Sequence, residues 1–192
     1  VEAGEAIATR DRHLDFMLGV MEYSPTRMFG MEDLELLDRI ESEHDNLRAA
    51  LEWATENHPA TALKLAYSAG GFWTIRDYNA EAQFWCSTIL GKTEAMSELE
   101  EDRGRLYGLL GWLMMTLGEH KKGRAASEQA ITLAEKSNDF YTMSRAYATA
   151  GLASCFLGDF PAAFPAIEKA ESIAREHDLA AELAFILGSR AQ

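Results

Sequence analysis

Tyrosine and glycine recur at a spacing of 40 residues through the middle of this 192-residue chain. The recurring tyrosines are Tyr67, Tyr107 and Tyr147, and the recurring glycines are Gly71, Gly111 and Gly151. Two residue types that return together at one period indicate an internal structural repeat. Repeats of roughly 20–50 residues are typical of solenoids, in which each repeat is one supersecondary unit that stacks on its neighbours.

Each repeat is predicted to be two helices joined by a short turn, since hydrophobic residues recur at helical spacing on both sides of Gly118 and Gly158. The predicted helices cover residues 63–76 and 80–90, 102–117 and 121–136, and 142–157 and 161–176, and a further one begins near 179. We therefore predict an all-α fold, a right-handed array of antiparallel helix hairpins similar to a tetratricopeptide (TPR) α-solenoid. The first repeat is degenerate, because Tyr78 stands where glycine is expected.

The glycines predict where helices come close. Gly111 and Gly151 fall where the first helix of a repeat meets its partner, and a missing side chain lets the two axes approach. The turn glycines are expected to adopt the left-handed conformation that ends a helix, which glycine reaches without strain. Asp159 is a candidate N-cap, and Pro161 suits the first turn of the helix that follows.

The segment LLDRIESEHDNLRAALEWA, residues 36–54, predicts one long amphipathic helix that begins near 31–34 and is ended by Pro59. Its apolar stripe consists of Leu36, Ile40, Leu47, Leu51 and Ala54. His44 lies on this stripe, so we expect a buried imidazole that needs a polar partner. An earlier helix is predicted over residues 7–22, and the turn-forming residues between the two helices are Ser24, Pro25 and Gly30.

The run RIESEHDNLRAALEWA, residues 39–54, preceded by RDRHLDFML at residues 10–18, resembles the segment that opens the helical-repeat region of bacterial STAND-type signalling ATPases. Those ATPases are often fused to LuxR-type or SARP-like transcription factors or to adenylate cyclase domains. The resemblance covers residues 10 to about 90, and beyond that the repeat pattern alone supports it. It implies a sensor that binds a protein, peptide or small-molecule effector and controls upstream ATPase and output domains in cis.

The same resemblance suggests how the chain is organised. Residues 1–60 are expected to link to the upstream ATPase or winged-helix part and to cap the array, and residues 61–192 to form the repeats. The expected repeats are 61–92, 102–137, 141–177 and a partial one at 179–192. Because the chain begins at Val1 and ends within a predicted helix, we expect it to be a piece of a longer protein.

The charge of the chain argues against two classes of partner. With 31 acidic residues against 18 lysines and arginines, the formal net charge is −13. Nucleic acids and anionic membranes bind through basic side chains, so we expect neither direct nucleic-acid nor membrane binding. Cys86 and Cys155 form no CxxC pattern and indicate reduced thiols in a cytoplasmic protein. The oligomeric state is left open.

No set of residues points to catalysis. A phosphate-binding loop is absent from the sequence, so we expect no cofactor in this segment and ATP only in the upstream domain. Glu43, His44 and Asp45 cannot converge on a metal ion, because consecutive helical residues point about 100° apart. We therefore predict a protein that is not an enzyme and has neither catalytic residues nor a metal site.

The candidate binding residues lie on the first helix of each repeat, taken as the inner lining. They are Phe72, Arg76, Arg105, Trp112, Met115, Arg145, Leu152 and Phe156, with Cys155 beside them. Arg105 and Arg145 occupy the same position in successive repeats, so both are expected to reach one anionic ligand or peptide. Packing between helices explains the apolar members equally well.

A second function stays open from the sequence. The chain could be a free-standing TPR adaptor that binds the peptide tail of a partner. A Walker motif encoded upstream would support the regulator, whereas a start codon near Val1 would support the adaptor.

Overall fold

The computed structural model describes residues 2–22 and 34–190, which contain ten α-helices, one 3₁₀ turn and no strand. The helices are α1 (Glu2–Glu22), α2 (Leu34–Ser42), α3 (His44–Asn57), α4 (Pro59–Ile75), α5 (Asn79–Lys92), α6 (Glu100–Thr116), α7 (His120–Ser137), α8 (Phe140–Phe156), α9 (Phe160–Glu176) and α10 (Ala180–Arg190). The 3₁₀ turn is Ser97–Leu99. The predicted all-α fold of helix hairpins is confirmed.

The long helix predicted up to residue 56 is two helices, α2 and α3, and this part of the prediction is wrong. The break lies at Glu43, whose backbone amide bonds to Ile40 O at 3.0 Å, one residue short of the α-helical pattern. The hydroxyl of Ser42 donates to Arg39 O at 2.7 Å and so offers the backbone a partner outside the helical ladder. The predicted turn at Ser24, Pro25 and Gly30 lies outside the described residues.

The chain divides into two compact units, which we call unit 1 (Val1–Ala95) and unit 2 (Met96–Gln192). In unit 1, α1 packs on α3 and α4, and α4 packs on α5. The stripe residues Ile40, Leu47, Leu51 and Ala54 are all fully buried, as the helical spacing predicts. The expected boundary at residue 60, between a linking segment and the repeats, stays a prediction.

Unit 2 contains the two complete hairpins α6–α7 and α8–α9, followed by α10. Each helix packs on the next along the chain, and the first helices of successive hairpins, α6, α8 and α10, also pack on one another. This pattern is expected when hairpins stack in register as a repeat.

Glycines set the spacing within both hairpins of unit 2, as predicted. A Cβ atom built at Gly151 would lie 2.6 Å from Ile167 Cγ1 and 3.0 Å from Ala163 O, and one at Gly111 would overlap the Ser127 hydroxyl. The helices can therefore reach this distance only without a side chain at these positions.

The turns show the repeat a second time. Gly118 and Gly158 have φ angles of 78° and 73°, which confirms the predicted left-handed helix ends. Asn138 and Asp178, which follow the second helix of each hairpin, are also left-handed at 55° and 54°. These two positions are again one repeat apart.

The predicted N-cap at Asp159 is correct in position but not in bonding. Asp159 precedes α9, yet its carboxylate accepts a hydrogen bond from Arg124 Nη1 at 2.9 Å and makes no side-chain cap. Asp139, at the start of α8, does cap its helix by accepting from the Thr142 amide at 3.1 Å. None of the described helices is both long and apolar enough to cross a membrane.

Candidate functional site

Four helices of unit 2 enclose a groove with a volume of ≈ 980 Å³, which we call the aromatic groove. Its lining residues are Trp112, Met115, Leu152, Cys155, Phe156, Phe160, Phe164, Ile167, Glu168, Ala184, Phe185 and Gly188. Ligand sites in proteins have volumes of roughly 300–1,000 Å³ and are mostly apolar with a few polar groups. The aromatic groove has both properties.

Helical spacing brings these side chains to one surface. Trp112 and Met115 lie one turn apart on α6, and Leu152, Cys155 and Phe156 lie within one turn at the end of α8. These residues face the groove because α6 and α8 pack side by side as the first helices of successive hairpins.

The opposite wall comes from α9 and α10. Phe160, Phe164 and Glu168 follow one another at intervals of four residues, which places them along one face of α9. Phe185 of α10 meets Trp112 edge to face, with 5.4 Å between the ring centroids. The groove is therefore built from three successive hairpin units rather than from one helix.

Three phenylalanines of the groove are exposed to an unusual degree. Phe156 is 67% exposed, Phe160 52% and Phe164 59%. A contiguous exposed apolar surface on a soluble domain is typical of a surface that binds something.

Arg145 lies beneath the groove and does not present a free charge to it. Its Nη1 atom donates to Glu182 Oε1 at 2.9 Å, and both side chains are at least nine-tenths buried. The guanidinium carbon is 4.4 Å from the centroid of Phe185 and 5.7 Å from that of Trp112. Arg145 thus supports two aromatic walls of the groove from inside.

Arg105 is likewise held by acids of the chain. Its Nε atom donates to Asp139 Oδ2 at 2.8 Å, and its Nη2 atom donates to Glu101 Oε1 at 2.6 Å. The expectation that Arg105 and Arg145 clamp one anionic ligand needs correction, because each guanidinium is neutralised within the protein. The reason is the excess of carboxylates, which places Glu182 beside Arg145 and Glu101 and Asp139 beside Arg105.

The eight predicted site residues are divided between the two units. Trp112, Met115, Leu152 and Phe156 line the aromatic groove, and a binding role for them stays a prediction. Phe72 and Arg76 belong to unit 1. Phe72 is fully buried with its ring centroid 5.1 Å from that of His44, and Arg76 pairs with Asp38 and Glu41.

His44 is buried in unit 1, as the stripe predicts. Its Nε2 atom lies 3.2 Å from Glu81 Oε1, an ion-pair distance without the alignment of a hydrogen bond. Arg48 donates two hydrogen bonds to the same carboxylate, at 2.8 and 2.6 Å. Burial by itself raises the pKa of Glu81, but the bonds from Arg48 and the nearby charges of His44 and Arg48 outweigh it and lower that pKa.

Within the described part of the chain, no three His, Cys, Asp or Glu side chains are grouped so that they could hold a metal ion. Cys86 and Cys155 are both free thiols, the first buried and the second partly exposed in the groove. Burial raises the pKa of the Cys86 thiol far above its ordinary value.

Sequence reasoning missed the wall formed by α9. Phe160, Phe164 and Glu168 were overlooked because only the first helix of each repeat was taken as lining. A signal was available, since two phenylalanines four residues apart lie off the small core stripe of Ala163 and Ala170. Large aromatic residues on the solvent face of an amphipathic helix indicate a second contact surface.

Comparisons with known proteins agree with the fold. No protein-family model matches the chain. Over 150 residues it is 31% identical to two proteins named "Putative HTH-type transcriptional regulator", one from Mycobacterium tuberculosis and one from Mycobacterium bovis. The match covers 74% of this chain, which spans only 17% of the length of those relatives.

A solved structure, the apo form of RapI, superposes with a TM-score of 0.67 over 87% of this chain and 57% of RapI, at 15% identity. Identity this low shows a likeness of fold alone. The chain therefore has a helical-repeat fold and a distant similarity to transcriptional regulators.

Proposed function

We propose that this chain is the sensing part of a transcriptional regulator, and that an effector or partner binds in the aromatic groove. The observation that carries the proposal is the groove itself, in which three exposed phenylalanines, Trp112 and Phe185 bring aromatic rings from four helices to one open space. Helical-repeat proteins bind partners on surfaces of this kind, because stacking leaves such a surface free.

The remaining functions of the regulator are assigned to other parts of a longer protein. The relatives are far longer than this chain, and their name implies a helix-turn-helix that contacts DNA. A charge of −13 makes this chain a poor DNA ligand, and its sequence has no phosphate-binding loop. We assign DNA binding and the ATPase of the STAND type to those other parts.

Regulation of neighbouring domains by the ligand would follow from the position of the groove between helices. A ligand in the groove touches α6, α8, α9 and α10 at once, so it stabilises one arrangement of three hairpin units over others. The stabilisation grows with ligand concentration relative to the dissociation constant. Neighbouring domains that contact these helices would then respond to the ligand.

The experiment compares two phenylalanine variants of the full-length protein. Phe164→Ala removes a groove ring, and Phe84→Ala removes a ring of nearly equal exposure, 60%, on α5 in unit 1. Transcription from a target promoter is read with each variant. We expect Phe164→Ala to change the response to inducing conditions and Phe84→Ala to leave it at the wild-type level.

Equal responses of both variants and the wild type would contradict the groove assignment. Ligand binding in the groove without any effect on transcription would instead support the free-standing adaptor. In either case the purified chain should not retain duplex DNA at physiological salt, which a mobility-shift assay measures.

A further inference from the structure

We propose that the ligand of the aromatic groove is an apolar organic cation that carries at least one aromatic ring. The proposal rests on the proposed function, since it names the chemical class that the sensing site accepts. It is carried by the charge of the groove, by the arrangement of its rings and by a cation already bound to two of them.

The charge of the groove is negative. Of the described residues that line it, Glu168 alone carries a charge, and its side chain is exposed. Arg145, which contacts two rings of the lining, is neutralised by Glu182 at 2.9 Å. An anionic ligand would therefore meet an uncompensated carboxylate, whereas a cationic ligand would meet a counter-charge.

The groove contains a pair of stacked rings. Phe160 and Phe164 of α9 stack on one another, with ring centroids 6.1 Å apart and ring planes within 21° of parallel. Glu168 follows one helical turn later on the same face. An aromatic face attracts a cation through its quadrupole, and the attraction grows when the cation is removed from water. Two exposed rings followed by a carboxylate along one face of α9 match a ligand with an apolar body and one positive centre.

The groove already contains contacts between a cation and aromatic rings. The guanidinium of Arg145 lies against Phe185 and Trp112 from the protein side, at 4.4 and 5.7 Å from their centroids. These two rings therefore bind a cation within the fold. Phe160, Phe164 and the exposed Phe156 give the groove further rings on its open side.

The groove is also of a suitable size. At ≈ 980 Å³ it lies at the upper end of the volumes that hold drug-sized molecules. A compact aromatic cation would fill much of it and displace water from the three exposed phenylalanines, and burial of apolar surface would add to the affinity.

Two probes of equal shape and opposite charge test the proposal on the purified chain. Tetraphenylphosphonium and tetraphenylborate each place four phenyl rings around one charged atom. Binding is measured by isothermal titration calorimetry at physiological salt. We expect the phosphonium to bind at least about tenfold more tightly than the borate, since ring-face and carboxylate attractions both favour the cation.

Matched variants separate the groove from the overall negative charge of the chain. Glu168→Gln should weaken phosphonium binding by about two- to fivefold, which is the size of a single exposed charge contact. Glu176→Gln removes the same charge from the exposed end of the same helix and should leave binding unchanged. Phe164→Ala should weaken binding, and Phe84→Ala should not.

Alkylation locates the probe. Cys155 lines the groove, whereas Cys86 is fully buried and serves as an internal control. Saturating phosphonium should slow the reaction of Cys155 with N-ethylmaleimide, as followed by peptide mass spectrometry, and leave Cys86 unreacted throughout.

Four results would overturn the cation assignment. They are absence of phosphonium binding, equal binding of the two probes, equal weakening by Glu168→Gln and Glu176→Gln, and binding that leaves Cys155 fully reactive. If Phe164→Ala still changes transcription, the proposed sensing function stands and only the ligand class fails, so the two failures are distinguishable.

Discussion

Helices in unit 1 are joined by charged side chains, whereas the hairpins of unit 2 come together at glycines. In unit 1, Arg48 of α3 holds Glu81 of α5 with two hydrogen bonds, and Lys92 of α5 pairs with Glu56 of α3. In unit 2, a Cβ atom built at Gly123 of α7 would lie only 2.9 Å from the Gly111 carbonyl oxygen on α6. Unit 2 also has ion pairs between helices, such as Lys136 of α7 with Glu100 of α6, but its hairpins add a near contact of backbones.

This difference explains why the repeat is clear in one part of the sequence and degenerate in the other. A backbone contact demands glycine or another small residue at one position, so it leaves a mark at a constant spacing. An ion pair between long side chains can be formed from many positions. Unit 1 keeps Gly71 of the glycine series but not the turn glycine, and Asp77, with φ of 62°, makes the left-handed turn where glycine serves in unit 2.

The two units also differ in how deeply an arginine–glutamate pair between their helices is buried. Arg145 and Glu182 in unit 2 have side chains that are 9% and 1% exposed, whereas those of Arg48 and Glu81 in unit 1 are 44% and 20% exposed. A buried charge that loses its partner is left in a medium that solvates it poorly. An exposed charge that loses its partner regains water.

The largest effect is therefore expected at the buried pair. Arg145→Met should lower the free energy of unfolding by about 3–5 kcal/mol, because it leaves the buried Glu182 carboxylate without its ion-pair partner. Arg48→Met, the matched change at the exposed pair, should cost about 1 kcal/mol or less. Urea denaturation monitored by circular dichroism measures both losses.

A double variant provides the control for the buried pair. Arg145→Met combined with Glu182→Leu removes both charges and should recover most of the lost stability, since no buried charge remains. Equal losses for Arg145→Met and Arg48→Met would show that burial does not distinguish the two ion pairs.

A smaller effect is expected at the glycines, with opposite signs in the two units. Gly123→Ala should destabilise unit 2 by about 1–3 kcal/mol, because its methyl group would press on the backbone of α6. Gly91→Ala on α5 of unit 1 meets no atom within 4 Å and should stabilise by about 0.5–1 kcal/mol through the lower helix cost of alanine. Thermal unfolding of the two variants tests the signs, and stabilisation by Gly123→Ala would show that the backbones of α6 and α7 do not need this close approach.

The smallest effect is expected in the pH dependence of stability, through Glu81 in unit 1. The pKa of Glu81 is lowered below its ordinary 4.5, so its ion pairs stabilise the folded protein above that pH, and this contribution is lost as pH falls through the lowered pKa. Glu81→Gln should lower the melting temperature slightly at pH 7, and the difference from the wild type should shrink as the pH falls below 4.5 and vanish below the lowered pKa of Glu81. Glu176→Gln in unit 2 is the control, and a difference that persists at low pH would assign the effect of Glu81→Gln to packing instead.

Much of the fold could be predicted because its signals are local. Helical spacing of apolar residues, the turn glycines and Pro59 each act within a few residues of where they stand, so the helix boundaries of unit 2 agree with the sequence to within about two residues. The break at Glu43 was missed, because Ser42 and Glu43 are tolerated within a helix and only the local backbone bonding shows that the helix ends there.

The candidate site was predicted only in part. Trp112, Leu152 and Phe156 were found because the register of the repeat places them on the inner helices. The ion pair of Arg145 was not predicted, because Glu182 follows Arg145 by 37 residues and nothing in the spacing specifies that partner. A repeat pattern predicts where an arginine lies. Whether that arginine is available to a ligand depends on which acidic side chains the fold places beside it.

The sequence by itself determined the helices, the turns and the close approach within each hairpin, because the repeat of 40 residues expresses backbone requirements that few residue types satisfy. The tertiary structure alone decided which surface is open. Phe160 and Phe164 remain exposed and Arg145 is neutralised because four helices meet there in one arrangement. Exposure and charge pairing are properties of a packed surface, and they exist only once residues distant in the chain lie side by side.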